Sequence, residues 1–147
     1  MIINTCSGAM SFAKELENES AKFYQELSQR YEKDKDLFIA FAKENSKYII
    51  QIERAYYGVI TDAIEGCFAF DLNPEDYQIK AAPSKDASYS NALKEALAME
   101  EKILKFYGVA AEQSKHLMAD VPRNFTLVAK KRGERIPKLK ALLDQAK

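Results

Sequence analysis

The sequence of 147 residues predicts an all-α protein, a four-helix bundle in which two antiparallel helical hairpins are joined by a long crossover. Apolar residues recur at the period of a helix that is buried on one face. The chain contains only five glycines and four prolines, so few positions interrupt a helix. Part of the first half also recurs in the second half, which indicates one hairpin used twice. This length is typical of one domain, and we expect 1–147 to form it.

Four amphipathic stretches define the predicted helices: about 11–31, 35–63, 91–113 and 121–145. The join between the first two is short, so these helices should pack antiparallel. The helical period lapses over about 66–90, where turn signals accumulate, and this segment is the predicted crossover. Pro137 lies inside the fourth stretch. Because proline cannot donate to the carbonyl of Gly133, a kink is expected there.

The internal repeat contains acidic residues at matching positions of helices 1 and 3. Glu17 precedes Phe23-Tyr24 by the same spacing that separates Glu100 from Phe106-Tyr107. Both glutamates interrupt apolar stripes, so both point toward the predicted core. An ionised carboxylate in a core costs several kcal/mol unless it is paired or bound to a metal. The two glutamates therefore need partners. The polar residues that interrupt the stripes of helices 2 and 4 are Asn45, Tyr48, Arg132 and Arg135.

At these positions, over about residues 12–143, the sequence resembles the ferritin-like di-iron proteins, and most closely the rubrerythrin-like erythrins. In that family, helices 1 and 3 carry Glu followed by Phe-Tyr, and helices 2 and 4 carry Phe-x2-Leu-Ala-x2-Glu-x2-His. Four Glu and two His then hold two iron atoms. The resemblance implies a ferritin-like bundle, a homodimer, and peroxide reduction or oxygen-dependent iron chemistry. Glu17 and Glu100 match the family's ligands in helices 1 and 3.

The other four ligand positions depart from the family. Asn45 replaces the Glu and Tyr48 the His of helix 2, while Arg132 replaces the Glu and Arg135 the His of helix 4. Two of six ligands cannot hold a pair of metal ions. Arginine stays charged and has no lone pair for a metal. We therefore expect no catalytic residue, no metal and no other cofactor, with Glu17 and Glu100 as vestigial ligand positions.

The hypothesis that follows is a set of buried ion pairs between the two glutamates and the two arginines, in the space where iron would lie. Asn45 and Tyr48 would satisfy the remaining polar groups. The expected role is non-catalytic, either structural, binding or regulatory. The alternative is a ferritin-like oxidoreductase with an atypical di-iron or mononuclear iron site, rebuilt with flanking carboxylates such as Glu44, Glu101 and Glu134. A core cavity that binds a small molecule is a third possibility.

Composition restricts the expected cellular location of the protein and the classes of partner that it binds. Lys plus Arg and Asp plus Glu number 22 each, so the formal net charge is zero. This balance argues against nucleic acid or an anionic membrane as the main partner. No apolar run approaches the ~20 residues of a membrane span. Cys6 and Cys67 are too few for a disulfide framework, so a cytoplasmic location is expected. The exposed parts of Phe68, Phe70 and Tyr77 are the candidate contacts of the homodimer.

Overall fold

The computed structural model describes residues 2–59, 70–116 and 120–146. Most of these residues are helical. The main exceptions are the arm before Cys6 and the stretch 70–88, which share one isolated bridge, and the all-α prediction is confirmed. The helices are α1 (Cys6–Arg30), α2 (Lys35–Val59), α3 (Tyr89–Ser114), α4 (Asp120–Gly133) and α5 (Arg135–Ala146), with a 3-10 turn over Pro74–Tyr77.

The helices pack as two antiparallel pairs, α1 with α2 and α3 with α4 and α5, and α2 also packs on α4. In the first pair, Lys14 lies 3.8 Å from Glu53 near one end. The rings of Tyr24 and Phe38 stack near the other end, with 6.2 Å between centroids. Contacts that join an early residue of one helix to a late residue of the other require opposite directions. The predicted first hairpin is therefore present.

Two helices begin earlier than predicted, because each starts at an N-cap residue that precedes the first apolar residue of its stripe. α1 begins at Cys6 rather than near residue 11, since the Thr5 hydroxyl accepts a hydrogen bond from the Gly8 N–H at 3.0 Å. Ser88 plays the same part for α3, accepting from the Asn91 N–H. An N-cap hydroxyl satisfies a backbone donor that has no partner within the helix.

The predicted end of helix 2 at residue 63 and the start of the crossover at 66 lie outside the described residues. From Phe70 onward the crossover is irregular. It contains the 3-10 turn, in which the Asn73 side chain accepts from the Glu75 N–H, and a second turn closed by the Ala87 N–H and the Ser84 carbonyl. Its backbone pairs with the N-terminal arm through an antiparallel bridge between Ile3 and Leu72. This bridge holds the arm that leads into α1.

The predicted fourth helix is divided into α4 and α5 at Glu134. Pro137 lies in the first turn of α5, where its missing N–H leaves the Gly133 carbonyl without its usual donor. The predicted interruption is therefore present, as a break between two helices. Arg132 and Arg135 lie on either side of it, and both are buried.

Aromatic rings fill much of the core, including two that the sequence had suggested for a dimer contact. Phe70 is 3% and Tyr77 is 5% exposed. The Tyr77 ring packs edge-on against Phe106 at 5.5 Å. The crossover folds back over α1 and α3, so these rings belong to the core of one chain. The expectation that they form a dimer contact is wrong, and Phe68 lies outside the described residues. No helix of the described part is long and apolar enough to cross a bilayer.

Candidate functional site

A cluster of charged and amide side chains lies fully buried at mid-height between the helices. Its members come from every main helix of the fold: Glu17 from α1, Asn45 from α2, Glu100 from α3, Arg132 from α4 and Arg135 from α5. All are 0% exposed except Arg135, at 2%. The structure thus brings together five of the six polar positions that interrupt the apolar stripes.

Arg132 is the centre of the cluster, because its guanidinium contacts both carboxylates. Nη1 donates to Glu17 Oε1 at 2.6 Å and to Asn45 Oδ1 at 3.1 Å. Nη2 donates to Ser20 Oγ at 3.0 Å and to Glu100 Oε2 at 3.1 Å. It also lies 3.0 Å from Glu100 Oε1. One cation therefore bridges α1 and α3, whose glutamates would otherwise repel each other.

Arg135 completes the charge balance from the other side of the helix break. Its Nη1 lies 3.4 Å from Glu100 Oε2. Its Nη2 donates to the Phe41 carbonyl and to Asn45 Oδ1, both at 2.8 Å. Asn45 in turn donates through Nδ2 to the Glu17 carbonyl at 3.1 Å. The contacts expected between the glutamates and the arginines are present, and Asn45 satisfies polar groups as expected.

Tyr48 does not behave as expected, because its hydroxyl leaves the cluster. It donates to Glu44 Oε2, one turn earlier on α2, at 2.9 Å. The ring centroid lies 5.8 Å from the Arg132 guanidinium carbon and 5.5 Å from that of Arg135. The length of the tyrosine side chain puts its ring beside the cations and its hydroxyl beyond them. Tyr48 thus contributes a cation–π contact. Burial and the Glu44 hydrogen bond raise the pKa of Tyr48 to about 12.

Two tyrosines of the internal repeat, which were not among the polar positions that interrupt the apolar stripes, hydrogen-bond to the buried carboxylates. Tyr24 of α1 donates to Glu100 Oε2, and Tyr107 of α3 donates to Glu17 Oε2, each at 2.5 Å. Each hydroxyl thus crosses to the glutamate of the other repeat. The signal was in the sequence, because both repeats place Tyr seven residues after Glu, two turns along the same helix face.

The surrounding rings add to the stabilisation of the cations. The Arg135 guanidinium carbon lies 4.6 Å from the Phe41 centroid and 5.3 Å from that of Tyr24. A cation within about 6 Å of a ring centroid is attracted by the negative face of the ring, and more strongly where water is excluded. Arg135 has one carboxylate partner, so ring faces replace part of the lost hydration.

The electrostatics of the cluster are set by burial and by its four formal charges. Burial raises the pKa of the Glu17 carboxyl, although Arg132 and the Tyr107 hydroxyl oppose the shift. Burial disfavours the charged form of Arg132, but attraction to Glu100 and Glu17 outweighs it and raises the pKa of Arg132. Burial and the neighbouring carboxylates also raise the pKa values of Tyr24 and Tyr107 well above 10. Both tyrosines therefore act as neutral donors.

The donor set does not fit the iron pair that the resemblance implies. The carboxylates of Glu17 and Glu100 each face a guanidinium and a tyrosine hydroxyl, and the two guanidiniums would repel a cation. Within 2–59, 70–116 and 120–146 no three His, Cys, Asp or Glu side chains lie close enough to hold a metal ion.

The flanking glutamates and Cys6 lie away from the cluster. Glu101 and Glu134 are exposed and Glu44 is partly exposed, so these carboxylates lie on the shoulders of their helices. Cys6 is buried in the first turn of α1. Cys67 lies outside the described residues. Neither Cys6 nor any of the three glutamates extends the cluster.

Comparison of the chain with protein-family models, with curated proteins and with solved structures finds no significant match. The inference about function therefore rests on the cluster and on the helices that carry it.

Proposed function

We propose that this chain is a ferritin-like bundle, related to the rubrerythrin-like erythrins, in which a neutral Glu–Arg cluster has replaced the di-iron site. Its role is structural or binding, and not catalytic. The observation that carries the proposal is the position of Arg132, which contacts both Glu17 and Glu100 in the core. These glutamates are the two positions that match the family's ligands, and a guanidinium lies between them.

The enclosure of the cluster supports a role without catalysis. Its charged members are at most 2% exposed, so a substrate has no path to them in this conformation. Three of the four carboxylate oxygens already accept hydrogen bonds from arginine or tyrosine, and the fourth, Glu100 Oε1, lies 3.0 Å from Arg132 Nη2. A general acid or base must reach a substrate within hydrogen-bond distance. Glu17 and Glu100 instead reach only other side chains of the same core.

Incomplete hydrogen bonding supports the replacement of an earlier site. Glu100 Oε1, Arg132 Nε and Arg135 Nε are buried and have no hydrogen-bond partner among the described residues. Well-packed apolar side chains often stabilise a core as well as, or better than, buried ion pairs do. Stability alone therefore does not explain why four charges lie here. Their coincidence with the ligand positions of the family does.

The cytoplasmic location and the homodimer belong to the same proposal. The location is supported by the low cysteine content of the sequence, and the dimer by the family resemblance. Size-exclusion chromatography with light scattering tests the dimer, and a monomeric mass at about 10 μM would overturn it.

Metal content tests the proposed function directly. Tag-free protein is purified without chelator, offered Fe(II), Mn(II) and Zn(II) in turn, and analysed by mass spectrometry for metal per chain. We expect a value near zero and an unchanged melting temperature. About two metals per chain, lost in Glu17→Gln or Glu100→Gln, would overturn the proposal. About one metal together with peroxide turnover would support the oxidoreductase instead.

A reconstructed donor set provides the converse test. The fourfold variant Asn45→Glu, Tyr48→His, Arg132→Glu and Arg135→His supplies the carboxylates and imidazoles that the family pattern requires. We expect it to bind about two metal ions per chain, and to lose them when Glu17→Gln is added. A folded variant that binds none would contradict the alignment of these positions. If the variant does not fold, the metal content of the wild-type protein still tests the proposal.

A further inference from the structure

The outer face of α2 and α4 exposes apolar side chains. Ile50 and Tyr57 on α2 are 49% and 60% exposed, and Leu127 on α4 is 37% exposed. Ile50 and Tyr57 lie two turns apart on one side of α2. The other large hydrophobic side chain exposed among the described residues is Ile2, in the N-terminal arm. Exposed apolar side chains on two helices that pack against each other are candidates for a binding surface, and Ile50 is the one of the three that lines the groove between them.

Basic side chains surround these apolar residues. Lys47 and Arg54 lie one turn before and after Ile50. Arg123, Lys130 and Lys131 lie one turn from Leu127 on α4, and all five are exposed. Glu53 of α2 lies on the side of the helix that faces α1, where it pairs with Lys14. The other acidic side chains nearest to the basic residues on the same two helices are Glu44, one turn before Lys47, and Asp120 at the start of α4, so basic charges outnumber acidic ones on this face.

A groove runs between the two helices under this face, with a volume of about 690 Å³. Its walls include Lys47, Ile50 and Arg54 on α2 and Asn124 on α4. Gln51 donates to Asn124 Oδ1 at 3.0 Å, and this bond ties the two helices together. Asp120 closes one end as the acidic residue of the lining. The surface is therefore concave, with apolar and basic edges.

We propose that this groove binds an acidic amphipathic helix of another protein. An apolar stripe on such a helix would contact Ile50, Tyr57 and Leu127, while its carboxylates would meet Lys47, Arg54 and Lys131. Recognition of an amphipathic helix by a groove between helices is a recurring mode. The positive potential would also speed the encounter with an acidic partner. The proposal names a partner class for the binding role proposed above and rests on that role.

The charge and shape of the face favour this occupant over others. In a symmetric dimer through the same face, each basic residue would meet the same basic surface of the partner copy, and like charges would repel. A flat bilayer cannot enter a groove with a polar floor. Nucleic acid would leave Ile50 and Leu127 without apolar contacts on a phosphate backbone.

Fluorescence anisotropy with a defined probe tests the proposal on the full chain. The probe is a fluorescein-labelled peptide of about 18 residues, with Leu at helical spacing on one face and Glu elsewhere. A control peptide of the same composition has its Leu residues scattered. We expect the amphipathic peptide to bind at least about ten-fold more tightly than the control, a difference of about 1.4 kcal/mol.

Two protein variants separate the apolar and charged contributions. Ile50→Ser with Leu127→Ser, and Lys47→Glu with Lys131→Glu, should each weaken binding by about ten-fold or more. A matched charge reversal of Lys94 on α3, which is exposed and outside this face, should leave binding unchanged. Circular dichroism confirms that each variant is folded, which is expected because all the changed residues are exposed.

Three outcomes would overturn the proposal. The first is equal affinity for the scattered peptide. The second is loss of binding in the charge variant but not in the apolar variant, which would mean unspecific attraction. The third is displacement of the peptide by phosphatidylcholine vesicles with about one-third phosphatidylserine, which would indicate a membrane surface. Because metal content tests the core and the peptide tests the surface, failure of one proposal is distinguishable from failure of the other.

Discussion

Replacement of Arg132 by methionine removes the cation that both buried glutamates share. The variant loses hydrogen bonds to Glu17, Ser20, Asn45 and Glu100. Glu17 would then have no arginine partner among the described residues, while Glu100 would keep Arg135 at 3.4 Å. Breaking one partner of a buried ion pair costs about 3–5 kcal/mol, because the other charge stays buried. This is a large part of the ~5–15 kcal/mol that stabilises a typical domain.

The destabilisation of Arg132→Met should depend on pH with a defined sign. Burial already raises the pKa of Glu17 above 4.5, and Arg132 opposes that shift most strongly. Without Arg132 the folded-state pKa rises further, while the unfolded-state pKa does not change. A raised folded-state pKa stabilises the fold at pH values below the unfolded-state pKa, and this contribution is lost as pH rises through the folded-state pKa. The deficit of the variant relative to wild type should therefore grow as the pH rises through the folded-state pKa of wild-type Glu17, which itself lies above 4.5.

Urea denaturation followed by circular dichroism at pH 5 and pH 8 measures both effects. A separate thermal melt at neutral pH should show a fall in melting temperature of roughly 10 °C for a chain of this size. Glu17→Gln combined with Arg132→Met should cost less than the sum of the single changes, because the double variant has no unpaired carboxylate at Glu17. Lys131→Met, an exposed neighbour on α4, is the matched control and should change stability by less than about 0.5 kcal/mol. A cost below about 1 kcal/mol for Arg132→Met, or a deficit that does not grow with pH, would refute the ion-paired core.

Two further predictions concern hydroxyl groups. Tyr24→Phe and Tyr107→Phe should each lower the free energy of unfolding by about 1.5–3 kcal/mol, because each removes a donor to a buried carboxylate. The Tyr48 hydroxyl contacts the partly exposed Glu44, so Tyr48→Phe should cost less than about 1 kcal/mol in the same urea titration. Equal costs for the three variants would contradict this assignment. Thr5→Ala should cost about 1 kcal/mol by removing the N-cap of α1, measured by thermal melting, and a melting temperature equal to that of wild type would contradict the capping.

Several features of the site could be read from residue types and spacing. Glu17 and Glu100 were expected inside the bundle because they interrupt apolar stripes, and helical periodicity places such positions reliably. Their pairing with Arg132 and Arg135 was expected because a buried charge requires an opposite charge. Both arguments use properties of a helix face or of a charge, and neither needs the distances between helices.

Other features of the site depend on the position of the polar group at the end of a side chain. The Tyr48 hydroxyl was expected in the cluster and lies at Glu44. The Tyr24 and Tyr107 hydroxyls, to which the sequence assigned no polar role, reach the carboxylates. All three tyrosines point inward, so helical periodicity cannot distinguish them. A hydrogen bond is made or lost when the distance between donor and acceptor changes by about 0.5 Å. The spacing of residues in a sequence does not specify positions this finely.

The sequence by itself determined the helical class, the first hairpin, the interruption near Pro137 and the identity of four buried charges. These features follow from local backbone rules and from the cost of burying a charge. Only the tertiary structure decided that the tyrosine hydroxyls cross between repeats, and that Phe70 and Tyr77 belong to the core. The partner of a side chain depends on the position and rotation of neighbouring helices, and the packing of all residues sets these together.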